Sequence, residues 1–287
     1  MIEAEVTAFR PRLFGLAYRM LGTRADADDA VQEAFLRWQS ADRSTIRDPQ
    51  AWLVTATTRT AIDRLRALQR ERQHYKGPWI PEPIVNDDAA DPARHAEISE
   101  DVSVAFLFVL ERLAPDERAA FILHHVFGYQ HAEIGSILDR SEDAVRQMVH
   151  RARQRMHADR PRFAINRQAA SALVERFVRA FENGDEAELR AILAQDVIHV
   201  ADGGGVVPAT GQPVEGREKV VPLLLGLRTK YWTGAHFERA DVGGAPGLII
   251  RDTSGAARGI IALKNDGTVI ASLHVVVAPD KVTRALG

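Results

Sequence analysis

Three prolines within six positions, Pro78, Pro81 and Pro83, rule out regular helix or a central strand across residues 77–83. Each one fixes φ and removes a backbone donor. The 287-residue chain must therefore build on either side of this break. The break is also apolar: Trp79 and Ile80 sit among the prolines in Gly77-Pro78-Trp79-Ile80-Pro81-Glu82-Pro83. Nothing requires apolar groups in a free spacer, so the segment is read as one that docks on something. A rigid spacer with an incidental aromatic is the alternative.

Before the break the periodicity is helical. Phe9, Leu13, Leu16, Ala17 and Met20 recur at helical spacing and Gly22 ends the run. Thr23 is a natural N-cap for a second helix, with Asp26, Asp28 and Asp29 near its positive end and Val31, Ala34, Phe35 and Trp38 inward. Residues 39–48 are polar and read as a loop. Pro49 then opens a third helix, with Val54, Ala61, Leu65 and Leu68 on one stripe and Arg59, Arg66 and Arg70 opposite.

The linker continues to about residue 92, through Asn86-Asp87-Asp88, and helices resume from Ala93. Pro115 opens one whose core is Phe121, Ile122 and Val126, and Gly128 stops it. From about residue 161 the texture changes. Two helices, at 169–182 and 186–193, precede strand patterns at 197–201, 236–242, 248–251, 259–263 and 269–277. Asn265-Asp266-Gly267 is a hairpin signal. The expected organisation is 1–75 and 96–160 as two all-α domains joined by a linker at 76–95, then an α+β domain at 161–287.

Composition narrows the class. Apolar residues make up 46% and charged residues 26%, as in folded proteins. Cysteine is absent, which excludes disulfides and thiolate chemistry. The acidic N-terminus is no signal peptide, and no apolar run reaches the ~18 residues of a membrane span. A cytoplasmic protein without membrane contact is expected. Net charge is only −2, but arginines gather in 59–72 and 146–160, and acids in 26–33 and 87–91. Local basic faces on a neutral body suit a protein that meets DNA within a larger assembly.

Residues 129–156 are the most informative. Ile134, Ile137 and Leu138 form the inner face of a short helix, and Asp139-Arg140 is a tight connection. Ser141 can cap a second helix, whose N-terminus Glu142 and Asp143 favour electrostatically. Val145, Met148, Val149, Ala152 and Met156 make its buried stripe, which turns Gln147, His150 and Gln154 outward with Arg146, Arg151 and Arg153 beside them. Gln and Arg can read base edges bidentately and Arg can grip phosphates. A helix-turn-helix with a recognition helix fits this pattern; a solvated amphipathic helix is the plainer reading. The basic face of Arg59 and Arg66 adds a second possible DNA contact.

In this order, the motifs resemble the sigma factors of the extracytoplasmic-function type over roughly residues 7–157. Asp26-Ala27-Asp28-Asp29-Ala30-Val31-Gln32-Glu33-Ala34-Phe35-Leu36-Arg37 is similar to their second-region helix. The resemblance implies that Asp28, Asp29, Gln32 and Glu33 face core RNA polymerase. Ala51-Trp52-Leu53 with Ile62-Asp63-Arg64-Leu65-Arg66 resembles the helix beside the −10 element. Ser141-Glu142-Asp143-Ala144-Val145-Arg146 with His150-Arg151-Ala152-Arg153 resembles the −35 recognition helix, which places Arg146, Gln147, His150 and Arg151 at the major groove.

The remainder resembles the subgroup with a SnoaL-like, NTF2-like extension, through Trp79-Ile80-Pro81-Glu82-Pro83, Asp202-Gly203-Gly204-Gly205 and Pro279-Asp280-Lys281. Val206 stands where that group often has lysine, and Ala278 where it often has asparagine. The resemblance implies regulation in cis through contacts of the linker with Asp202 to Gly205 and with Asp280 and Lys281.

Two other functions compete. A one-component helix-turn-helix regulator with a ligand-binding domain would bind a palindrome without polymerase. An enzyme on the C-terminal fold would need a buried acid or base, for which His199, Asp202, His236, Asp241 and His274 are the candidates. Structural histidines are the commoner case, and no cofactor or metal motif is present. A pocket for an unknown small ligand is compatible with the extension.

Overall fold

The computed structural model describes residues 7–86, 103–157 and 166–287. The acidic cluster at 87–91, the resumption of helix at 93 and the predicted boundaries at 95–96 and 160–161 lie outside these residues. The described residues fall into two compact units: 7–74 with 106–157, and 75–86 with 103–105 and 166–287.

The first unit is helical. Helix α1 (Arg10–Leu21) ends on Gly22 at φ 76°, whose N–H reaches the Tyr18 carbonyl at 2.8 Å. Helix α2 (Arg24–Ser40) starts on Thr23, whose hydroxyl accepts from the Asp26 N–H at 3.2 Å. Helix α3 (Pro49–Arg72) is capped by Asp48, which accepts from the Ala51 N–H at 3.0 Å. Leu13, Leu16, Met20, Val31, Ala34, Leu53, Ala61 and Leu65 are buried where these helices pack, as the helical spacing requires. Four helices follow: α4 (Val104–Leu110), α5 (Pro115–His125), α6 (His131–Leu138) and α7 (Glu142–His157).

The α6–α7 connection is a tight turn. Gln130 and Glu133 form a capping box at the start of α6, and Asp139 takes the left-handed conformation at φ 56° at its end. A Cβ on Gly135 would stand 2.7 Å from the Arg140 carbonyl, so α6 can approach the turn only with glycine there. Ser141 Oγ then accepts from the Ala144 N–H at 3.2 Å and starts α7.

A buried ionic knot ties α1, α3, α4 and α5 together. Glu111 accepts from Arg118 Nη1 at 2.5 Å on one oxygen and from Arg72 Nη1 at 2.6 Å on the other. The two guanidiniums also donate to main-chain carbonyls, Arg118 Nε to Arg19 and Arg72 Nη2 to Leu21, each at 3.0 Å. Arg118 is fully buried, so these partners offset its desolvation.

The second unit is a curved sheet against helices. Helices α8 (Arg167–Asn183) and α9 (Glu186–Ile192) start on Asn166 and Asp185 and are divided by Gly184 in the left-handed region. The sheet order is β1-β4-β5-β6-β7-β2-β3, for β1 (Val85–Asn86), β2 (Leu193–Asp202), β3 (Val214–Glu215), β4 (His236–Val242), β5 (Ala245–Arg251), β6 (Ala257–Asn265) and β7 (Ile270–Val276). Every pairing is antiparallel except β2 with β7. Phe177, Phe181, Val197, Ala201, Phe237, Leu263, Leu273 and Val275 share one core on the inner face.

Two further helices were not among the elements expected from the sequence. Helix α10 (Arg217–Tyr231) contains Pro222 and Gly226, both of which read as breakers, yet it buries Val220, Val221 and Leu224. Helix α11 (Pro279–Leu286) closes the chain and buries Lys281, Val282 and Ala285. Strand β1 lies within the stretch read as linker and pairs with β4, Val85 opposite Val242.

Candidate functional site

Three sets of residues carry the chemistry. The first is the outer face of α7. Val145, Met148, Val149, Ala152 and Met156 are buried, so Arg146, Gln147, His150, Arg151 and Arg153 are exposed. Acids organise this face: Arg146 pairs with Glu142 at 2.8 Å and Asp143 at 3.0 Å, and Arg151 pairs with Glu117 of α5 at 2.8 Å. Gln154 and His150 stand 3.1 Å apart one turn along.

The second set lies on α2 and α3. Asp28, Asp29 and Gln32 are exposed and Glu33 is half-buried beside the exposed Leu36, giving α2 an acidic outer face. On α3, Arg59 Nε donates to the Ile137 carbonyl at 2.9 Å, and Arg66 pairs with Asp63 and Asp116 at 3.1 and 2.7 Å. Both α3 arginines are thus engaged by groups of the same unit.

The third set is the linker site in the second unit. Ile80 to Ile84 are buried, although a proline-rich stretch is ordinarily exposed. Asp202 holds them. Its Oδ1 accepts from Tyr75 Oη at 2.6 Å and the Gly204 N–H at 2.9 Å; its Oδ2 accepts from the Ile80 N–H at 2.9 Å and Lys281 Nζ at 2.7 Å. Lys281 Nζ also donates to the Ile80 carbonyl at 2.5 Å and lies 4.2 Å from the Trp79 ring centre. One turn on, Arg284 reaches the buried Glu82 at 3.1 Å and Asp280 at 2.8 Å. The glycines are steric necessities: a Cβ on Gly203 would meet the Val207 carbonyl at 2.1 Å, and one on Gly204 the Ala278 Cβ at 3.1 Å. Trp79, Ile80, Glu82, Asp202, Gly204, Asp280 and Lys281 thus come together. Tyr75 and Arg284 join them without a motif of their own, although each flanks one.

The five acid–base candidates do not converge. Asp202 is occupied by the linker. Asp241 is paired with Arg167 at 2.6 Å and accepts from the Gly244 N–H, and His236 is exposed. His274 is buried with its Nδ1 3.4 Å from Ser272 Oγ; burial, then Lys264 and His199, push its pKa down to about 3. Only His199 lines the cavity of about 640 Å³ in this unit, and burial pushes it down to about 4. Among the described residues no cluster of three or more acidic or histidine side chains is placed to hold a metal. No described helix is long and apolar enough to cross a membrane.

Comparison with known proteins gives the same picture. Residues 6–71 match the Sigma-70 region 2 family, and residues 103–156 match the Sigma-70 region 4 family. The chain is 41% identical to the ECF RNA polymerase sigma factor SigJ of Mycobacterium tuberculosis over 236 residues, which is 82% of this chain and 75% of that protein. It is 29% identical to that organism's probable ECF RNA polymerase sigma factor SigI over 97% of this chain and 93% of the relative. The crystal structure of SigJ superposes with a TM-score of 0.79 at 35% identity and covers 98% of both chains. Two sigma helical domains followed by a helix-plus-sheet domain define a transcription initiation factor with an extension. This chain belongs to the extracytoplasmic-function sigma factors, the family its motifs resembled.

Proposed function

We propose that this protein joins core RNA polymerase in the cytoplasm, directs it to promoters through −10 and −35 elements, and is regulated in cis by its C-terminal domain. The observation that carries the promoter reading is the exposed Arg146, Gln147, His150, Arg151 and Arg153 face of a helix-turn-helix, in a chain of this family. Gln147 and Arg146 read base edges in the major groove of the −35 element, and Arg151 and Arg153 grip phosphates. The acidic outer face of α2, with Asp28, Asp29, Gln32 and Glu33, docks on polymerase. Arg59 and Arg66 serve the −10 region, where they exchange their present partners, the Ile137 carbonyl and Asp116, for phosphate.

Regulation rests on the held linker. Residues 79–83 lie between the two sigma segments in sequence, and Asp202, Lys281 and Arg284 fix them to the C-terminal domain. A signal acts by binding two linker arrangements unequally. A small ligand of the C-terminal domain is one such signal.

The test is run-off transcription on a promoter library with core polymerase, comparing the full chain, an Asp202→Ala chain and a chain ending at residue 164. Specific initiation that changes in the last two supports both halves of the proposal. Palindrome binding in the absence of polymerase, with no initiation by any version, replaces it with the one-component regulator.

A further inference from the structure

The cavity of the C-terminal unit has a chemical character of its own. Ala201, Trp232, Val275 and Val282 are among its walls, so most of its lining is apolar. Two residues of the lining carry buried polar atoms. His199 Nδ1 and Thr210 Oγ1 are both buried and have no hydrogen-bond partner. His199 as a whole is 1% exposed. An unmade hydrogen bond at a buried polar group is destabilising, and a ligand group that supplies it recovers the loss. Its size, about 640 Å³, suits a small organic molecule.

The walls are also the elements that grip the linker. Thr210, with Val207 to Ala209, continues the loop that begins at Asp202, where the Val206 and Val207 N–H groups fold back onto the Gly203 carbonyl at 3.1 and 3.0 Å. Pro279, Val282 and Thr283 of α11 face the cavity, while Lys281 and Arg284 of the same helix hold Ile80 and Glu82. An occupant and the linker thus press on the same loop and the same helix from different sides.

We propose that this cavity binds a neutral, largely apolar small molecule through one carbonyl or hydroxyl group set against His199 Nδ1 and Thr210 Oγ1, and that its occupancy is transmitted to residues 75–86 through the 203–210 loop and α11. The inference rests on the reading that the C-terminal domain regulates in cis, and it names the ligand class and the route. A neutral ligand follows from the site: burial keeps His199 uncharged at neutral pH, and the nearest ionic groups on the lining, Asp252 and Arg258, already pair with each other at 2.7 Å. An anion or cation inside would lose its hydration without a counter-charge.

The test uses the full-length chain and the neutral naphthyl ketone dye prodan, whose emission moves to the blue in apolar surroundings. Saturable, blue-shifted binding of one dye per chain is expected. His199→Leu should weaken it about fivefold, the loss of one hydrogen bond. Ala257→Trp, and Thr283→Phe on the exposed side of α11, should abolish it by filling the cavity. Hydrogen–deuterium exchange with saturating dye should slow at residues 203–210, 279–286 and 75–86. Absence of saturable binding, or binding indifferent to all three substitutions, overturns the site. Binding with unchanged exchange at 75–86 overturns the transmission. Neither polymerase nor DNA is present, so these outcomes stand apart from those of the transcription assay.

Discussion

At Asp202, four donors converge on one carboxylate, and the Lys281 ammonium among them is itself buried. Taking both charges out of water costs several kcal/mol, which the short contacts and the Trp79 ring offset. Asp202→Ala takes the carboxylate away from the buried Lys281 ammonium and should lower stability by about 3 kcal/mol in urea unfolding. Adding Lys281→Met should recover part of that loss, because the buried ammonium no longer has to be desolvated. The two inner histidines make a separate prediction. His199 and His274 are depressed from 6.5 to about 4 and about 3, so the unfolded chain binds more protons than the folded one below 6.5. Their contribution to stability is complete above that value and falls as pH drops through the window. The urea midpoint of the C-terminal unit should therefore fall between about pH 7 and about pH 5, and His199→Asn with His274→Asn should flatten the slope.

Helices are set by signals the residues carry locally, and joined by contacts they do not. Thr23, Asp48 and Ser141 begin α2, α3 and α7 through side-chain caps that are visible in the sequence. The stripe of α7 likewise dictates which side chains turn outward. Gln147→Ala should therefore leave the fold intact and relax promoter choice by about 1–3 kcal/mol at the base pair it reads, measured as relative initiation on a −35 library. The Glu111 knot is different. Arg72 and Arg118 lie on α3 and α5 and Glu111 in the turn after α4, and no spacing rule links them. Glu111→Gln leaves two guanidiniums without their carboxylate and should destabilise the helical unit by about 3 kcal/mol. Circular dichroism melts of this variant should show the loss; an unchanged midpoint would mean that water replaces the carboxylate.

At the scale of the whole chain, the linker belongs to the packing of the C-terminal unit. Ile80 and Ile84 are 0% and 4% exposed, and Ile84 gives its carbonyl to the Gly243 N–H at 2.8 Å. A chain ending at residue 164 loses these partners and exposes that apolar run, so it should associate at concentrations where the full chain stays monodisperse by light scattering. Caps, stripes, prolines and glycine turns act within a few residues of one another. Helices of the sigma segments, the side chains that α7 turns outward and the strands that follow α8 and α9 were readable from them, and the family from the motifs that resemble it. Helix α10 was not, because its Pro222 and Gly226 oppose helix locally and only burial of Val220, Val221 and Leu224 against the sheet overrides them. Strand β1 was hidden for the same reason, since two residues become a strand only where β4 offers its edge. The partners of Asp202 lie 122 and 79 residues away at Ile80 and Lys281. Family motifs marked both ends, but which atoms meet, and that Tyr75 and Arg284 complete the site, is settled by burial and long-range packing, which no local pattern encodes.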